Sequence, residues 1–413
     1  MTHESTIAGP SLADVERARV TVSAVADVTP MESSHYLSRV LGQPVFMKCE
    51  NLQRTGSYKI RGAYNRISSL SDEEKARGVV AASAGNHAQG VAFAARELGI
   101  PATIFMPIGV ALPKLAATRD YGADVVLRGH TVAEPLRAAA EHAERTGAVY
   151  IPPFDHPDVI AGQGTLGLEV LEQVPDLATV VVPIGGGGLI SGMATVLKQR
   201  AAQLGREIRV IGVQAMNAAA YPVSLAAGAV TEITISPTIA DGIAVSKPGK
   251  LNFEIIKDTV DEVVTVDDDD IARAMLMLLE RAKLVVEPAG AVGVAAILTG
   301  KIRASGPTVV MLSGGNIDPL IMERVISHGL AASERYLKLR IPLPDRPGQL
   351  ARTSEIVAAQ NANVVEVLHT RHGTGLAISQ VELELHIETR GPEHAEQVLG
   401  ALRAEGYEPR VDF

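Results

Sequence analysis

Short apolar runs and longer alanine-rich segments alternate along most of the chain. Runs such as GVVAAS at residues 78–83 and TVVVPI at 179–184 are rich in valine and have the composition of buried β-strands. The segment LISGMATVLKQRAAQLG at 189–205 instead repeats its apolar residues at helical spacing, with Leu189 and Met193 on one face. This alternation predicts an α/β fold in which helices cover a parallel sheet.

The pattern changes near residue 330. HGLAASER at 328–335 is a predicted linker, and the residues after it predict strand, helix, strand, strand, helix and strand, the ferredoxin-like order. The predicted segments are YLKLRIPLP, GQLARTSEIVAAQ, NVVEVLHTR, AISQVELELHIET, PEHAEQVLGALRAEG and EPRVDF. We therefore expect a first domain over residues 1–330 and a second, a binding or assembly module, over 331–413.

Composition narrows the possible functions. The 413 residues carry a formal net charge of −9, which argues against a nucleic-acid partner or an anionic membrane surface. The single cysteine, Cys49, excludes an internal disulfide and suits a reducing cytoplasm, and the N-terminal segment has no signal-peptide pattern. The apolar stretch at 177–197 is interrupted by Pro183 and four glycines, so we interpret it as strand, loop and helix rather than a membrane span.

The loop PIGGGGLISG is a candidate phosphate cradle. Its glycines let backbone N–H groups approach an anion, and a helix N-terminus follows them. A plain tight turn is the alternative. A dinucleotide-binding fingerprint does not fit, because Ile190 stands where a third glycine is needed and Gln214 ends the next strand without an acidic residue. A P-loop does not fit either, because no Gly-Lys-Ser/Thr triplet follows.

The stretch SYKIRGA places Lys59 between an aromatic and an apolar residue. A lysine that acts as an amine nucleophile needs such surroundings, because desolvation and nearby positive charge hold it partly neutral. Two further strand ends add chemistry: SAGNHAQG suits a carboxylate, and LSGGN offers the hydroxyl of Ser313. Ser83 or Asn86 alone would also be explained as a helix N-cap. Together, these features are what pyridoxal phosphate and an amino acid would need.

Several of these motifs also resemble a known family. In the expected order, KCENLQRTGSYKIRGA, ASAGNHAQGVA, PIGGGGLISG, ADGIAV and EPAGAVGVAA resemble the threonine/serine ammonia-lyases, which are pyridoxal-phosphate enzymes of the tryptophan-synthase-β fold type. The tail LPDRPGQLARTSEIVAAQNANVVEVLHTR resembles an ACT domain, a regulatory module that binds amino acids. The resemblance implies a catalytic domain of two parallel-sheet α/β subdomains followed by one ferredoxin-like ACT domain.

The resemblance also implies residue roles. Lys59 would form the Schiff base with pyridoxal 5'-phosphate, and Tyr58 would pack on the cofactor. Lys59 and Ser83 are the expected catalytic residues. The expected cofactor-binding residues are Lys59, Asn86, Gly185, Gly186, Gly187, Gly188, Leu189 and Ser313. The expected substrate-binding residues are Ser83, Ala84, Gly85, Asn86 and His87. No metal site is carried over, because Gln214 stands where relatives such as serine racemase have a metal-binding acid.

The implied reaction is β-elimination of L-threonine to 2-oxobutanoate and ammonia, and of L-serine to pyruvate. An amino-acid effector, isoleucine or valine, would bind the ACT domain of a cytoplasmic homo-oligomer, a dimer or a tetramer. Two alternatives stay open at this point. A serine racemase would share the fold, and a non-catalytic amino-acid sensor would explain the tail but leave Lys59 without a use. Deletion of residues 331–413 is expected to leave catalysis intact and to remove any effector response. The alternative is that the module serves only to hold an oligomer together.

Overall fold

A computed structural model describes residues 9–131, 133–371 and 379–412. The chain divides after Pro319 into two compact units, which are described separately. The strands are β1 (Met31–Ser33), β2 (Val45–Cys49), β3 (Val79–Ala82), β4 (Ala102–Met106), β5 (Asp124–Leu127), β6 (Val149–Tyr150), β7 (Thr179–Pro183), β8 (Arg209–Ala215), β9 (Glu262–Val266), β10 (Thr308–Leu312), β11 (Tyr336–Pro344), β12 (Asn363–Thr370), β13 (Gln380–Glu388) and β14 (Arg410–Asp412).

The α-helices alternate with these strands through most of the chain. They are α1 (Leu12–Val22), α2 (His35–Leu41), α3 (Lys59–Ser68), α4 (Asp72–Arg77), α5 (Asn86–Glu97), α6 (Leu112–Asp120), α7 (Ala133–Thr146), α8 (Pro157–Gln173), α9 (Gly188–Gln203), α10 (Ala220–Ala227), α11 (Lys250–Thr259), α12 (Asp268–Met277), α13 (Pro288–Leu298), α14 (Pro319–Ala332), α15 (Gln349–Ala359) and α16 (Pro392–Ala404). Among the residues described, each helix is too short or too polar to cross a lipid bilayer.

The first unit contains two sheets. One has the order β1-β2-β10-β7-β8-β9 and is parallel except for the antiparallel β1–β2 pair, and the other has the order β5-β4-β3-β6 and is entirely parallel. Every residue of β3, β7 and β10 is buried, which is why these strands are continuous apolar runs rather than alternating ones. The predicted α/β fold with parallel sheets is confirmed.

Three turns at the carboxyl ends of these strands carry the motifs singled out above. Strand β3 leads into α5 through the SAGNH turn, β7 leads into α9 through the four glycines, and Ser313 directly follows β10. Helix α3, which begins at Lys59, packs against both α5 and α8. Parallel sheets place ligands at the carboxyl ends of their strands, so the fold gathers these turns where a site is expected.

The second unit is a four-stranded antiparallel sheet in the order β12-β13-β11-β14, with helices α15 and α16. Alternate residues of β11 and β13 are buried, as expected for a sheet with one covered face. The predicted βαββαβ order is confirmed. Residues 377–378 of the predicted third strand and Phe413 lie outside the described residues.

The predicted linker at 328–335 is wrong over its first part. Helix α14 continues through Ala332, because HGLAA consists of residues that tolerate a helix and no proline interrupts it. The helix belongs almost entirely to the second unit, since the division falls after Pro319. The domain boundary at residue 330 stays a prediction.

Candidate active site

Lys59 is the first residue of α3 and is half-buried. Its Nζ donates a hydrogen bond of 2.9 Å to the carbonyl oxygen of Pro153 and lies 5.3 Å from the centre of the Tyr58 ring. Helix α5 approaches its backbone closely, since a Cβ placed on Gly90 would lie 3.1 Å from the carbonyl carbon of Lys59. Gly90, the last residue of SAGNHAQG, therefore allows α3 and α5 to pack closely.

The electrostatic surroundings of Lys59 favour a neutral amine. Desolvation lowers the pKa of Lys59 to about 8, against an opposing contribution from the carboxylate of Glu287. A water-exposed lysine has a pKa near ~10.4. With that pKa the ammonium form of Lys59 still predominates at pH 7, but the neutral fraction is far larger than that of an exposed lysine, which suits both a nucleophile and a base.

Asn86, the first residue of α5, is held on both sides. Its Nδ2 donates to Oε1 of Glu287 at 2.7 Å, and its Oδ1 accepts from Nδ2 of Asn316 at 2.8 Å. Glu287 is only 5% exposed, and burial, followed by the nearby Asp241, raises its pKa to about 7. The site thus contains a buried carboxyl group that the sequence interpretation did not assign to it.

The rest of the SAGNH turn combines backbone and side-chain contacts. The Oγ of Ser83 accepts from the backbone N–H of Gly85 at 3.2 Å. His87 is buried, and its Nε2 lies 2.9 Å from the carbonyl oxygen of Ile151, so Nε2 carries the proton. Desolvation and the charge of Lys59 lower the pKa of His87 to about 3. His87 is therefore neutral at physiological pH, and its ring faces the protein rather than serving as a cation for a carboxylate.

The two central glycines of the four-glycine loop cannot accept side chains. A Cβ on Gly186 would lie 2.3 Å from the ring of Phe154, and one on Gly187 would lie 2.2 Å from the hydroxyl of Tyr221. Gly187 also has a φ of 103°, which side-chain-bearing residues rarely adopt. Tyr221 donates to the carbonyl oxygen of Gly186 at 2.9 Å and so holds the loop from behind.

Ser313 and Tyr58 connect the two ends of the site. Ser313 follows β10, is 4% exposed, and accepts a 3.2 Å hydrogen bond at its carbonyl oxygen from the backbone N–H of Tyr58. An isolated β-bridge joins Ser57 to Gly314 beside it. The LSGGN turn therefore lies directly against the residues that precede Lys59.

Gln214 occupies the position where a metal-binding acid was considered. It is fully buried; its Nε2 donates to the carbonyl oxygens of Ile184 and Ala218, and its Oε1 accepts from the backbone N–H of Tyr221 at 2.9 Å. These bonds give Gln214 a structural role behind the glycine loop. Within the described ranges, no group of three or more histidine, cysteine or acidic side chains is arranged to hold a metal ion.

The structure brings Lys59, Asn86 and Ser313 into one contact network and joins it to the glycine loop through Pro153 and Phe154, which are adjacent in the chain. Sequence interpretation missed the contributions of Glu287 and Asn316. Both stood inside motifs already noted, EPAGAVGVAA and LSGGN. For Glu287, the sequence signal was an acidic residue directly before α13, an apolar helix that begins at Pro288.

These features fit the expected cofactor. Side chains are excluded at Gly186 and Gly187, and the first N–H groups of α9 have no partner within their own helix, so the loop suits a phosphate. Lys59 supplies an amine of lowered pKa, which can react with an aldehyde. The residues present therefore suit a phosphate-bearing aldehyde.

Comparison with known proteins points the same way. Residues 22–314 match the family described as pyridoxal-phosphate dependent enzyme. An L-threonine ammonia-lyase of Thermotoga maritima is 48% identical over 402 residues, which is 97% of this chain and 99% of the relative. The solved structure of processed threonine deaminase isoform 2 from Solanum lycopersicum is 39% identical with a TM-score of 0.71, covering 78% of this chain and 94% of that one. Maize serine racemase is 36% identical with a TM-score of 0.73, covering 78% and 98%.

Proposed function

The chain belongs to the family of pyridoxal-phosphate-dependent enzymes, and from this membership we propose that it is a threonine ammonia-lyase, which converts L-threonine to 2-oxobutanoate and ammonia. The expected fold type and cofactor are thereby confirmed. The observation that carries the proposal is the half-buried amine of Lys59, placed beside the glycine loop and the SAGNH turn of a chain that is 48% identical to a threonine ammonia-lyase over nearly its whole length.

The chain offers a partner for each part of the cofactor. Lys59 would hold the aldehyde carbon, Asn86 the 3-oxygen, Ser313 the ring nitrogen, and the backbone of Gly185, Gly186, Gly187, Gly188 and Leu189 the phosphate. When bound, pyridoxal phosphate supplies a conjugated ring that accepts the electron pair released at the substrate Cα.

The protein's own groups perform the remaining work. The turn of Ser83, Ala84, Gly85, Asn86 and His87 receives the substrate carboxylate through its amides and the Ser83 hydroxyl. Neutral Lys59 removes the Cα proton as general base, and the resulting Lys59 ammonium gives a proton to the β-hydroxyl, which leaves as water. Hydrolysis of the resulting enamine yields the 2-oxo acid and ammonia. L-Serine, which lacks one methyl group, follows the same route to pyruvate.

The likeness to maize serine racemase makes racemisation the second candidate. Ser313 favours elimination, because a neutral hydroxyl at the ring nitrogen stabilises a protonated ring less than a carboxylate would. Ser313→Asp should therefore raise racemisation relative to elimination, measured as D-serine and pyruvate formed from L-serine. An unchanged ratio would contradict this role of Ser313.

The second unit supports a regulatory role. Its βαββαβ order and antiparallel sheet are those of an ACT-like module, and we assign it an amino-acid effector, isoleucine or valine, bound near the loop Asp345–Leu350. We further propose a homo-oligomer, a dimer or tetramer, acting in the cytoplasm, where the free thiol of Cys49 would stay reduced.

The direct test is release of 2-oxo acid from L-threonine by the purified protein, with and without L-isoleucine. Release is expected, and suppression by isoleucine would support the regulatory assignment. Release that ignores both isoleucine and valine would contradict that assignment while leaving the reaction in place. No release from protein loaded with the cofactor would overturn the proposed reaction.

A further inference from the structure

Asn86 is held in one amide orientation by a chain of hydrogen bonds that begins and ends on acceptors. At one end, the carboxylate of Glu287 accepts from Nδ2 of Asn86 at 2.7 Å. At the other end, the carbonyl oxygen of Thr55 accepts from Nδ2 of Asn316 at 2.7 Å, and the same Nδ2 donates to Oδ1 of Asn86 at 2.8 Å. Nδ2 of Asn316 also lies 3.2 Å from Oε1 of Gln89.

This arrangement permits a single polarity. A carbonyl oxygen of the backbone can only accept, so it requires the Nδ2 of Asn316 to face Thr55. Asn316 then donates to Asn86, so Oδ1 of Asn86 must be the atom that faces Asn316. If the amide of Asn86 were flipped, its oxygen would face the oxygen of Glu287 and its nitrogen would face the nitrogen of Asn316. Both contacts would be repulsive.

Glu287 and Gly314 are joined by a backbone hydrogen bond of 3.0 Å and lie together beside the amide of Asn86. Glu287 stands at the N-cap of α13 but makes no capping bond to its own helix, and its side chain instead reaches Asn86, 201 residues away in sequence. Gly314 leaves room for the contact, because a Cβ there would lie 2.4 Å from Oε1 of Glu287 and 3.0 Å from Nδ2 of Asn86. In LSGGN, Gly314 therefore leaves space for the side-chain amide of Asn86, and Asn316 donates a hydrogen bond to it.

We infer that Glu287 and Asn316 are positioning residues that hold Asn86 with its second Nδ2 hydrogen free for the cofactor's 3-oxygen, an assignment that rests on the proposed cofactor site. Neither residue acts on the substrate directly. They prevent Oδ1 of Asn86 from facing the 3-oxygen of the cofactor, which is also an acceptor. Loss of either partner should therefore weaken cofactor binding through Asn86, and Glu287→Gln separates this effect from that of the Glu287 charge on Lys59, because it removes the charge and keeps the acceptor.

The test measures the dissociation constant of pyridoxal phosphate and the absorption band of the bound cofactor, without substrate. Glu287→Ala and Asn316→Asp should each weaken binding by about tenfold, the effect of roughly one lost charge-assisted or buried hydrogen bond. Glu287→Gln should restore most of the affinity, because its amide oxygen can still accept from Asn86. Asn65→Ala is the matched control, since Asn65 also donates from Nδ2 to a backbone carbonyl, that of Asp158 at 2.7 Å, without touching Asn86.

The decisive comparison repeats these variants in an Asn86→Ala background. If Glu287 and Asn316 act through Asn86, their substitution should change cofactor affinity by less than about twofold there, since coupled residues are not additive. The same tenfold losses in both backgrounds would overturn the inference, as would unchanged affinity in the single variants. Unaltered protein that fails to take up pyridoxal phosphate would instead contradict the cofactor site itself. Melting temperatures of the cofactor-free variants identify any that fail to fold, and Glu287→Gln, which keeps the size and the acceptor of the side chain, tests the Glu287 contact without that risk.

Discussion

Lys59 and Arg61 lie two residues apart on the same helix, and the protein treats their positive charges in opposite ways. Arg61 is 1% exposed and donates to both oxygens of Glu50 at 2.9 Å and to those of Glu169 at 2.6 and 3.1 Å. Lys48 completes this buried cluster of two cations and two carboxylates with a 2.7 Å contact to Glu169. Lys59 donates to one carbonyl oxygen, that of Pro153, and the carboxylate that acts on its charge, that of Glu287, makes no hydrogen bond to it.

The two environments have opposite consequences for the pKa. Burial alone would lower the pKa of Arg61, but Glu50 and Glu169 outweigh it and the pKa rises. For Lys59, burial prevails over Glu287 and the pKa falls to about 8. A buried charge with a full set of partners is structural, whereas one that lacks them is available for chemistry. The deficit of partners marks the reactive group better than burial does.

The largest effect should come from removing the reactive amine. Lys59→Ala should reduce threonine turnover by at least about 10³-fold, because it removes both the cofactor's attachment and the base. Lys59→Arg should be equally inactive, since a guanidinium stays protonated. Release of 2-oxo acid measures both, with melting temperature as the control for folding. An Arg variant as active as the unaltered protein would show that Lys59 is not the base.

The next largest effect concerns stability and the charge of Arg61, which is paired with Glu50 and Glu169. Arg61→Met should lower the free energy of unfolding by about 3–5 kcal/mol, because Glu50 and Glu169 would be left buried without this partner. Arg66→Met on the same helix is the matched control. Arg66 makes 3.3 Å contacts to the partly exposed Asp158 and to the hydroxyl of Ser69, and its loss should cost about 1 kcal/mol or less. Urea unfolding measures both, and equal losses would mean that the cluster contributes no more than a surface pair.

A smaller effect concerns the titration of the unpaired amine in the cofactor-free protein. The neutral amine is the reactive form, so labelling of Lys59 by an amine-directed reagent should rise with pH through a midpoint near 8. Glu287 is largely ionised at that pH, since its own pKa is about 7. Glu287→Gln should therefore move the midpoint to lower pH, because a negative charge that favours the ammonium form is removed. Peptide mass spectrometry at a series of pH values measures the labelling, and an unchanged midpoint would mean that Glu287 exerts no field on Lys59.

Much of the fold followed from local pattern. The strand and helix runs, the glycine loop after β7 and the ferredoxin-like order of the second unit depend on residues that are neighbours in sequence. The predicted linker at 328–335 failed because a short segment without strong breakers takes its structure from what precedes it, here α14. The motif KCENLQRTGSYKIRGA includes the last two residues of β2, but nothing in it predicted that this strand would lie between β1 and β10.

The sequence by itself determined the fold type, the cofactor and the turns that would hold it, because glycines, caps and apolar runs act within a few residues of where they stand. Only the tertiary structure decided which charges meet. The bonds of Asn86 to Glu287 and of Arg61 to Glu169 join residues 201 and 108 positions apart, and their partners follow from how helices and sheets pack. Local sequence gives Lys59 and Arg61 nearly the same surroundings, and the fold supplies carboxylates to one of them and withholds them from the other.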